Sequence, residues 1–134
     1  MDYHPSSIEE AGPFLRGRQR AVLSTIGPDG GPHQVVVDYA LDAEGILLNG
    51  RVDRRWVRNL RRDPRASALV HDPADVSHWV RLTGAARLLR EGDEEAVEDA
   101  MVMARRYGDD PEQFRGQHRV SWRLVPHQVL ERIE

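Results

Sequence analysis

The sequence predicts a mainly β fold: a small barrel of about six to seven antiparallel strands with interspersed helices. Short runs rich in valine, isoleucine and leucine alternate with glycine- and proline-containing turns. The first three runs follow one another at hairpin spacing, which favours antiparallel pairing. Most connections are too short for a helical crossover between parallel strands, which argues against a doubly wound sheet.

The first part of the chain predicts a helix followed by three strands. Ser6 and Ser7 begin two overlapping Ser-x-x-Glu capping boxes, and Pro13 and Gly17 limit the helix that follows. Turns rich in glycine and aspartate separate the strands. The three strands are predicted over residues 20–26, 33–41 and 46–48.

The second part predicts two helices and further strands. A helix from Asp53 to about Arg62 ends before Pro64, and Asp93 is predicted to cap a second, amphipathic helix that extends to Tyr107. A polar loop over residues 108–117 follows it. Strands are predicted over 66–71, 77–90 (bent at Gly84) and 118–125, with a last short segment over 128–133 after Pro126.

Composition excludes several classes of chemistry. Cysteine is absent, so disulfides, thiolate nucleophiles, zinc–thiolate sites and iron–sulfur ligation are excluded. No apolar run approaches the roughly 18 residues that a membrane helix needs, and the polar N-terminus is unlike a signal peptide. We therefore expect a cytoplasmic protein that forms one domain over residues 1–134. The net charge of -3 gives no reason to expect nucleic acid or membrane as a partner.

The segment over residues 49–65 is the most informative part of the sequence. All 19 basic residues of the chain are arginines, and seven of them lie here against two aspartates. Arg54 and Arg55 fall in the first turn of the predicted helix, where the helix dipole disfavours cations. The helix predicted after Asp93 obeys the dipole rule. Two explanations remain open: a bound anion at the helix start, or arginines that simply cover an exposed face and pair with nearby acids.

Other catalytic patterns are absent from the sequence. It contains neither a P-loop nor a Gly-x-Gly-x-x-Gly fingerprint, so ATP chemistry and a classical NAD domain are disfavoured. Its six histidines lack metal-ligand spacing, and no Gly-x-Ser-x-Gly is present. We therefore expect neither a metal site nor a hydrolase.

Several segments resemble the pyridoxamine 5'-phosphate oxidase-like split-barrel superfamily, in matching order and spacing. The Arg-Asn-Leu-x-x-Asp-Pro-Arg form within 58–67 is most typical of its coenzyme F420-dependent (deazaflavin) branch. The resembling segments are Ala21–Thr25 with Pro28–Pro32, Arg58–Ser67, Trp79–Ala86 and Arg119–Pro126.

The resemblance implies a split β-barrel of the FMN-binding type and a homodimer with its cofactor at the subunit interface. It also implies an oxidoreductase that transfers a hydride between reduced F420 and a small organic substrate, which the sequence does not identify. The alternatives are an FMN-dependent pyridoxamine phosphate oxidase-like protein or flavin reductase, and a non-catalytic F420-binding protein. The cofactor phosphate is expected near the helix after the third strand, where the dipole argument also places an anion.

The expected cofactor site follows from these two arguments together. Many relatives carry a lysine where this chain has Trp56, so we expect the nearby arginines to replace it; Trp56 itself could instead be part of the core. No catalytic residue is assigned, because the cofactor carries the chemistry. His33 and His78 are candidates for substrate contact, or ordinary barrel histidines. The expected cofactor-binding residues are Val35, Val36, Val37, Asn49, Gly50, Arg51, Arg54, Arg55, Trp56, Arg58 and Asn59.

Overall fold

A computed structural model describes residues 3–132 of the chain. The strands are β1 (His4–Pro5), β2 (Arg20–Ile26), β3 (Pro32–Leu41), β4 (Ile46–Arg51), β5 (Arg65–Asp72), β6 (Asp75–Gly92) and β7 (Arg119–Arg132). The helices are α1 (Ile8–Arg16), α2 (Arg55–Arg62) and α3 (Glu95–Tyr107), and a single 3-10 turn covers Pro111–Phe114.

The seven strands form one antiparallel sheet that closes on itself. Their order is β1-β7-β4-β3-β2-β5-β6, and β6 at the far end also pairs with β7. The ring therefore contains six strands, with the short β1 added on the outside of β7. The predicted mainly β, antiparallel split-barrel fold is confirmed.

The last strand corrects one prediction. The sequence predicted a break at Pro126, but β7 continues through it to Arg132. The register of the β6–β7 pair shifts between Thr83 and Gly84, which leaves room for a proline in the sheet. A Cβ on Gly84 would lie 2.0 Å from the Val125 carbonyl oxygen, so glycine is required at this close approach. Residue 133 of the predicted last segment lies outside the described residues.

Two predicted helix starts are also corrected. Helix α2 begins at Arg55 and its N-cap residue is Arg54, whereas Asp53 precedes the helix. Helix α3 has Glu94 rather than Asp93 as its N-cap residue. The predicted cap of α1 is confirmed, because the Ser7 hydroxyl accepts the Glu10 N–H at 3.0 Å.

The core fills the barrel and continues beneath α2. The inward residues of the strands alternate with exposed ones, as a half-buried sheet requires. Helix α2 contributes four buried residues, Trp56, Val57, Asn59 and Leu60. These contacts anchor the arginine-rich helix to the barrel and thereby position the segment that the sequence analysis singled out.

Candidate functional site

The first turn of α2 has no acidic group to balance the helix dipole, and Asp53, just before the helix, pairs with Arg51 at 3.4 Å. Arg54 has an extended backbone (φ -66°, ψ 141°), and no side chain caps the helix. No acidic residue lies in its first turn. The free N–H groups of this turn and the arginine side chains therefore carry positive charge at the same place.

The arginines at the two ends of the segment differ in their partners. Near the end of α2, Arg61 pairs with Glu91, and after the helix Arg65 pairs with Asp63 at 2.7 Å. The start of the helix is different. Three side chains there form no hydrogen bond or ion pair within residues 3–132: Arg54, Arg55 and Arg58. Pairing with nearby acids thus explains Arg61 and Arg65, but not Arg54, Arg55 and Arg58.

A cavity of about 440 Å³ lies on one side of this helix start, between β3, β4 and α3. We call it the β3–β4 cavity. Ala100, Met103 and Ala104 form its α3 wall. Eight of the predicted cofactor-binding residues line it: Val35, Val36, Val37, Asn49, Gly50, Arg51, Arg54 and Trp56.

A second cavity of about 650 Å³ lies on the other side, against the β2–β3 turn. We call it the turn cavity. Its walls include Gly27, Pro28 and His33, and the three remaining predicted residues, Arg55, Arg58 and Asn59. The predicted set is therefore divided: Arg54 and Arg55 are adjacent in sequence but face different cavities.

Arg119 is a further arginine of the β3–β4 cavity that the sequence analysis did not select. The β4–β7 register places it opposite Arg51. Its Nε donates to Asn49 Oδ1 at 2.6 Å, and its guanidinium carbon lies 4.6 Å from the centre of the Phe114 ring. No local pattern could have identified it, because strand pairing brings it to the site.

The electrostatic environment of Arg119 indicates an excess of positive charge. Burial, and then repulsion from Arg51 and Arg54, lower the pKa of Arg119 to about 10. Two carboxylates also line the cavity, those of Asp38 and Asp109, but Asp38 already pairs with Arg20 at 3.3 Å. An anion in this cavity would relieve the repulsion between the three arginines.

Both predicted asparagines have their side-chain amides engaged within the protein. Asn49 donates to the Ala96 carbonyl oxygen at 2.7 Å and to Ser121 Oγ at 2.9 Å. Asn59 donates to Thr25 Oγ1 at 3.0 Å and accepts from Arg62 at 2.7 Å. These bonds make the two residues supports of the cavity walls.

Trp56 packs against β4. It is 5% exposed and belongs to the core cluster. A Cβ on Gly50 would lie 2.4 Å from the Trp56 ring, so the glycine allows the indole to pack over the strand. The structure thus favours the core role for Trp56, although its ring also forms part of the wall of the β3–β4 cavity.

The two candidate histidines occupy different environments. His33 lines the turn cavity, and its buried Nδ1 has no hydrogen-bond partner. His78 stacks on Phe14, with ring centres 4.3 Å apart, and lines neither cavity. Within residues 3–132, no three histidine, aspartate or glutamate side chains converge on a point that could hold a metal ion. The described helices include none long and apolar enough to cross a membrane.

Solved structures of similar proteins share this fold. A conserved hypothetical protein of Mycobacterium tuberculosis, Rv2991, is 29% identical and has a TM-score of 0.77, with 98% of this chain and 87% of that chain covered. An F420 reductase is 21% identical, with a TM-score of 0.73 and coverage of 87% and 93%.

HutZ, a heme storage protein of Vibrio cholerae, is also 21% identical with a TM-score of 0.73, and 91% of each chain is covered. At these identities the last two matches show a common fold and no common ligand. Residues 7–132 match the family described as pyridoxamine 5'-phosphate oxidase. That match extends over nearly the whole chain, and the protein belongs to this family.

Proposed function

We propose that the protein is an F420-dependent oxidoreductase that transfers a hydride between the reduced deazaflavin and a small organic substrate. The observation that carries this proposal is the cluster of Arg51, Arg54 and Arg119 in the β3–β4 cavity, beside a helix whose first turn contains no acidic residue. Guanidinium groups and free N–H groups of a helix start are the usual donors to a phosphate. Because the chain belongs to the pyridoxamine 5'-phosphate oxidase family, we assign that phosphate to a flavin-type cofactor.

The second cavity supports F420 over FMN. F420 carries two anionic parts, a phosphate and a glutamyl tail, whereas FMN carries only the phosphate. Arg55 and Arg58 face the turn cavity and have no partner within the described residues. The cationic groups on the two sides of α2 are thus suited to one anionic part each: phosphate in the β3–β4 cavity and tail carboxylates in the turn cavity.

The protein's part in the reaction is to bind, orient and exclude water. When bound, F420 would supply the hydride, and solvent would supply the proton that completes the reduced product. Arg51, Arg54 and Arg119 would hold the phosphate, while Val35 and Val37 would present apolar surface to the ring. No side-chain nucleophile is needed. A homodimer with the cofactor between subunits, located in the cytoplasm, completes the proposal.

The test is a fluorescence titration of the purified protein with F420 and, side by side, FMN and hemin at fixed salt. F420 should bind most tightly. Preferential binding of FMN would support a flavin enzyme of the same family, and preferential binding of hemin would contradict the proposal. Tight F420 binding with no reduction in a panel of substrates would identify a non-catalytic F420-binding protein.

The arginines are tested one at a time, because the two cavities separate them. Arg54→Ala and Arg55→Ala should each weaken F420 binding about 10- to 150-fold, the equivalent of one charge-assisted contact of about 1.5–3 kcal/mol. FMN lacks the tail, so only Arg54→Ala should weaken FMN binding. Arg61→Ala removes the same charge from the same helix outside both cavities and is the matched control. Unchanged F420 affinity in the Arg54 and Arg55 double variant would contradict the phosphate and tail assignment.

A further inference from the structure

A third cavity, of about 720 Å³, adjoins the β3–β4 cavity. We call it the β2–α3 cavity. Val36 lines both cavities and is 63% exposed, which is unusual for a valine on a sheet. Ala21, Val22, Leu69 and Pro73 complete an apolar floor. A molecule on this floor would lie next to any cofactor in the β3–β4 cavity.

The rim of the β2–α3 cavity is strongly cationic. Four arginines surround the floor, together with His71 and Tyr107, and no carboxylate is among the lining residues. The arginines are Arg16, Arg18, Arg20 and Arg106. Such a rim around an apolar floor is suited to an organic anion.

Two of these arginines are free to bind a ligand. Arg18 and Arg20 each pair with an aspartate, at 3.1 Å and 3.3 Å. Arg16 and Arg106 form no ion pair with any residue within 3–132. They lie together between this cavity and a smaller one that Glu9 and Asp42 line. In addition, the buried Arg18 Nε has no hydrogen-bond acceptor.

We infer that the β2–α3 cavity is the substrate site and that the substrate is an organic anion with an apolar, ring-sized body. The body lies on Val22, Val36 and Leu69, and the carboxylate or similar group binds Arg16 and Arg106. That the bound anion is the substrate rests on the proposed function. That the cavity binds an organic anion rests on the cavity alone. A second copy of the chain is the competing occupant of the floor, but it would have to bring carboxylates to Arg16 and Arg106.

The binding test uses two probes of equal shape, 2-naphthoate and 2-naphthamide, titrated into the cofactor-free protein and followed by NMR. The anion should bind at least about tenfold more tightly than the neutral amide, because only the anion pairs with the arginines. Equal affinities, or no binding of either probe, would overturn the inference. Occlusion of the floor by a second copy would produce the latter result.

The variants separate this site from the cofactor site. Arg16→Gln with Arg106→Gln should lower naphthoate affinity about tenfold or more and leave F420 affinity unchanged. Arg105→Gln, at the next position on α3 but outside the cavity, should change neither. Arg54→Ala should lower F420 affinity and leave naphthoate binding unchanged. If the unmodified protein binds F420 but not naphthoate, the substrate site is wrong and the proposed function stands. If the unmodified protein binds naphthoate but not F420, the anion site stands and the proposed function is wrong.

Discussion

Helices α2 and α3 both have arginines in the last turn but differ in the charges of the first turn. Helix α3 has Glu95 and Glu98 in its first turn and Arg105 and Arg106 in its last, which stabilises the helix through its dipole. Helix α2 has no acidic residue in its first turn, and the arginines there have no partner among residues 3–132. The charges of α3 thus serve its own stability, whereas those at the start of α2 oppose it and are suited to an external anion.

The comparison also shows what holds α2 in place. Without a side-chain cap or a favourable charge in its first turn, an isolated helix of 8 residues would not be stable in water. Packing of its buried face and the ion pair at its C-terminal end supply the stability that its first turn lacks. The same packing makes the cationic start rigid, so that its arginines are already positioned before a ligand binds.

The largest effect should follow from removing the packing of α2. Leu60→Ala deletes a fully buried side chain and should lower the free energy of unfolding by about 2–5 kcal/mol. Val102→Ala, on the exposed side of α3, is the control and should change it by less than about 0.5 kcal/mol. Urea unfolding measures both. If the two variants lost similar amounts of unfolding free energy, the buried face of α2 would not be what holds this helix in place.

The second effect concerns the arginine that β7 adds to the site. Arg119→Gln should weaken F420 binding about 10- to 150-fold, because it removes a charge-assisted contact of about 1.5–3 kcal/mol to the phosphate. Fluorescence titration measures the affinity, with the exposed Arg87→Gln as control. The variant also relieves the repulsion with Arg51 and Arg54. If the variant instead bound F420 more tightly, the F420 phosphate would not be the anion of this cavity.

Smaller and opposite effects are expected when the first-turn charges of the two helices are exchanged. Arg55→Glu should stabilise the cofactor-free protein by about 0.3–1 kcal/mol at low salt, and Glu95→Arg should destabilise it by a similar amount. The gain from Arg55→Glu should be accompanied by weaker F420 binding. Thermal unfolding at low and high salt measures the stability, since screening should remove both effects. If both variants changed the stability in the same direction, the proposed electrostatic difference between the two helices would be wrong.

The smallest effect concerns the C-terminal end of α2. Hydrogen bonds from Arg61, and then from His118, hold the pKa of Glu91 below its ordinary value. A carboxyl whose folded-state pKa is depressed contributes stability above its unfolded value of 4.5, and that stability is lost as the pH falls through the lower folded value.

Glu91→Gln should therefore destabilise the protein at pH 7 by about 0.2–1 kcal/mol, the range for exposed pairs, and have little effect near pH 3. Urea unfolding across this pH range measures the change. Glu98→Gln is the control on α3, where the carboxylate is 3.5 Å from Arg105 and exposed, and its effect should be smaller. A loss that is independent of pH would exclude the ion pair as its cause.

Most of the fold could be predicted because its signals are local. The glycine-rich turns, the Ser7 cap and the alternation along β2 act over a few residues, and the structure contains each of them. The predicted stop at Pro126 was wrong because a proline is tolerated at a bulge, and β7 has an extra residue, His127, beside Pro126. Gly84, 42 positions earlier in the chain, permits the close approach of the two strands there.

For the candidate site, the sequence is sufficient to show that arginines outnumber acids around the start of α2 and that its first turn contains no acid, because charge and helix position are both local properties. The surfaces that those arginines face depend on the tertiary structure. A helix turns about 100° per residue, so Arg54 and Arg55 point to different cavities. Pairing of β4 with β7 then brings Arg119 beside Arg51, a contact between strands that no local pattern encodes.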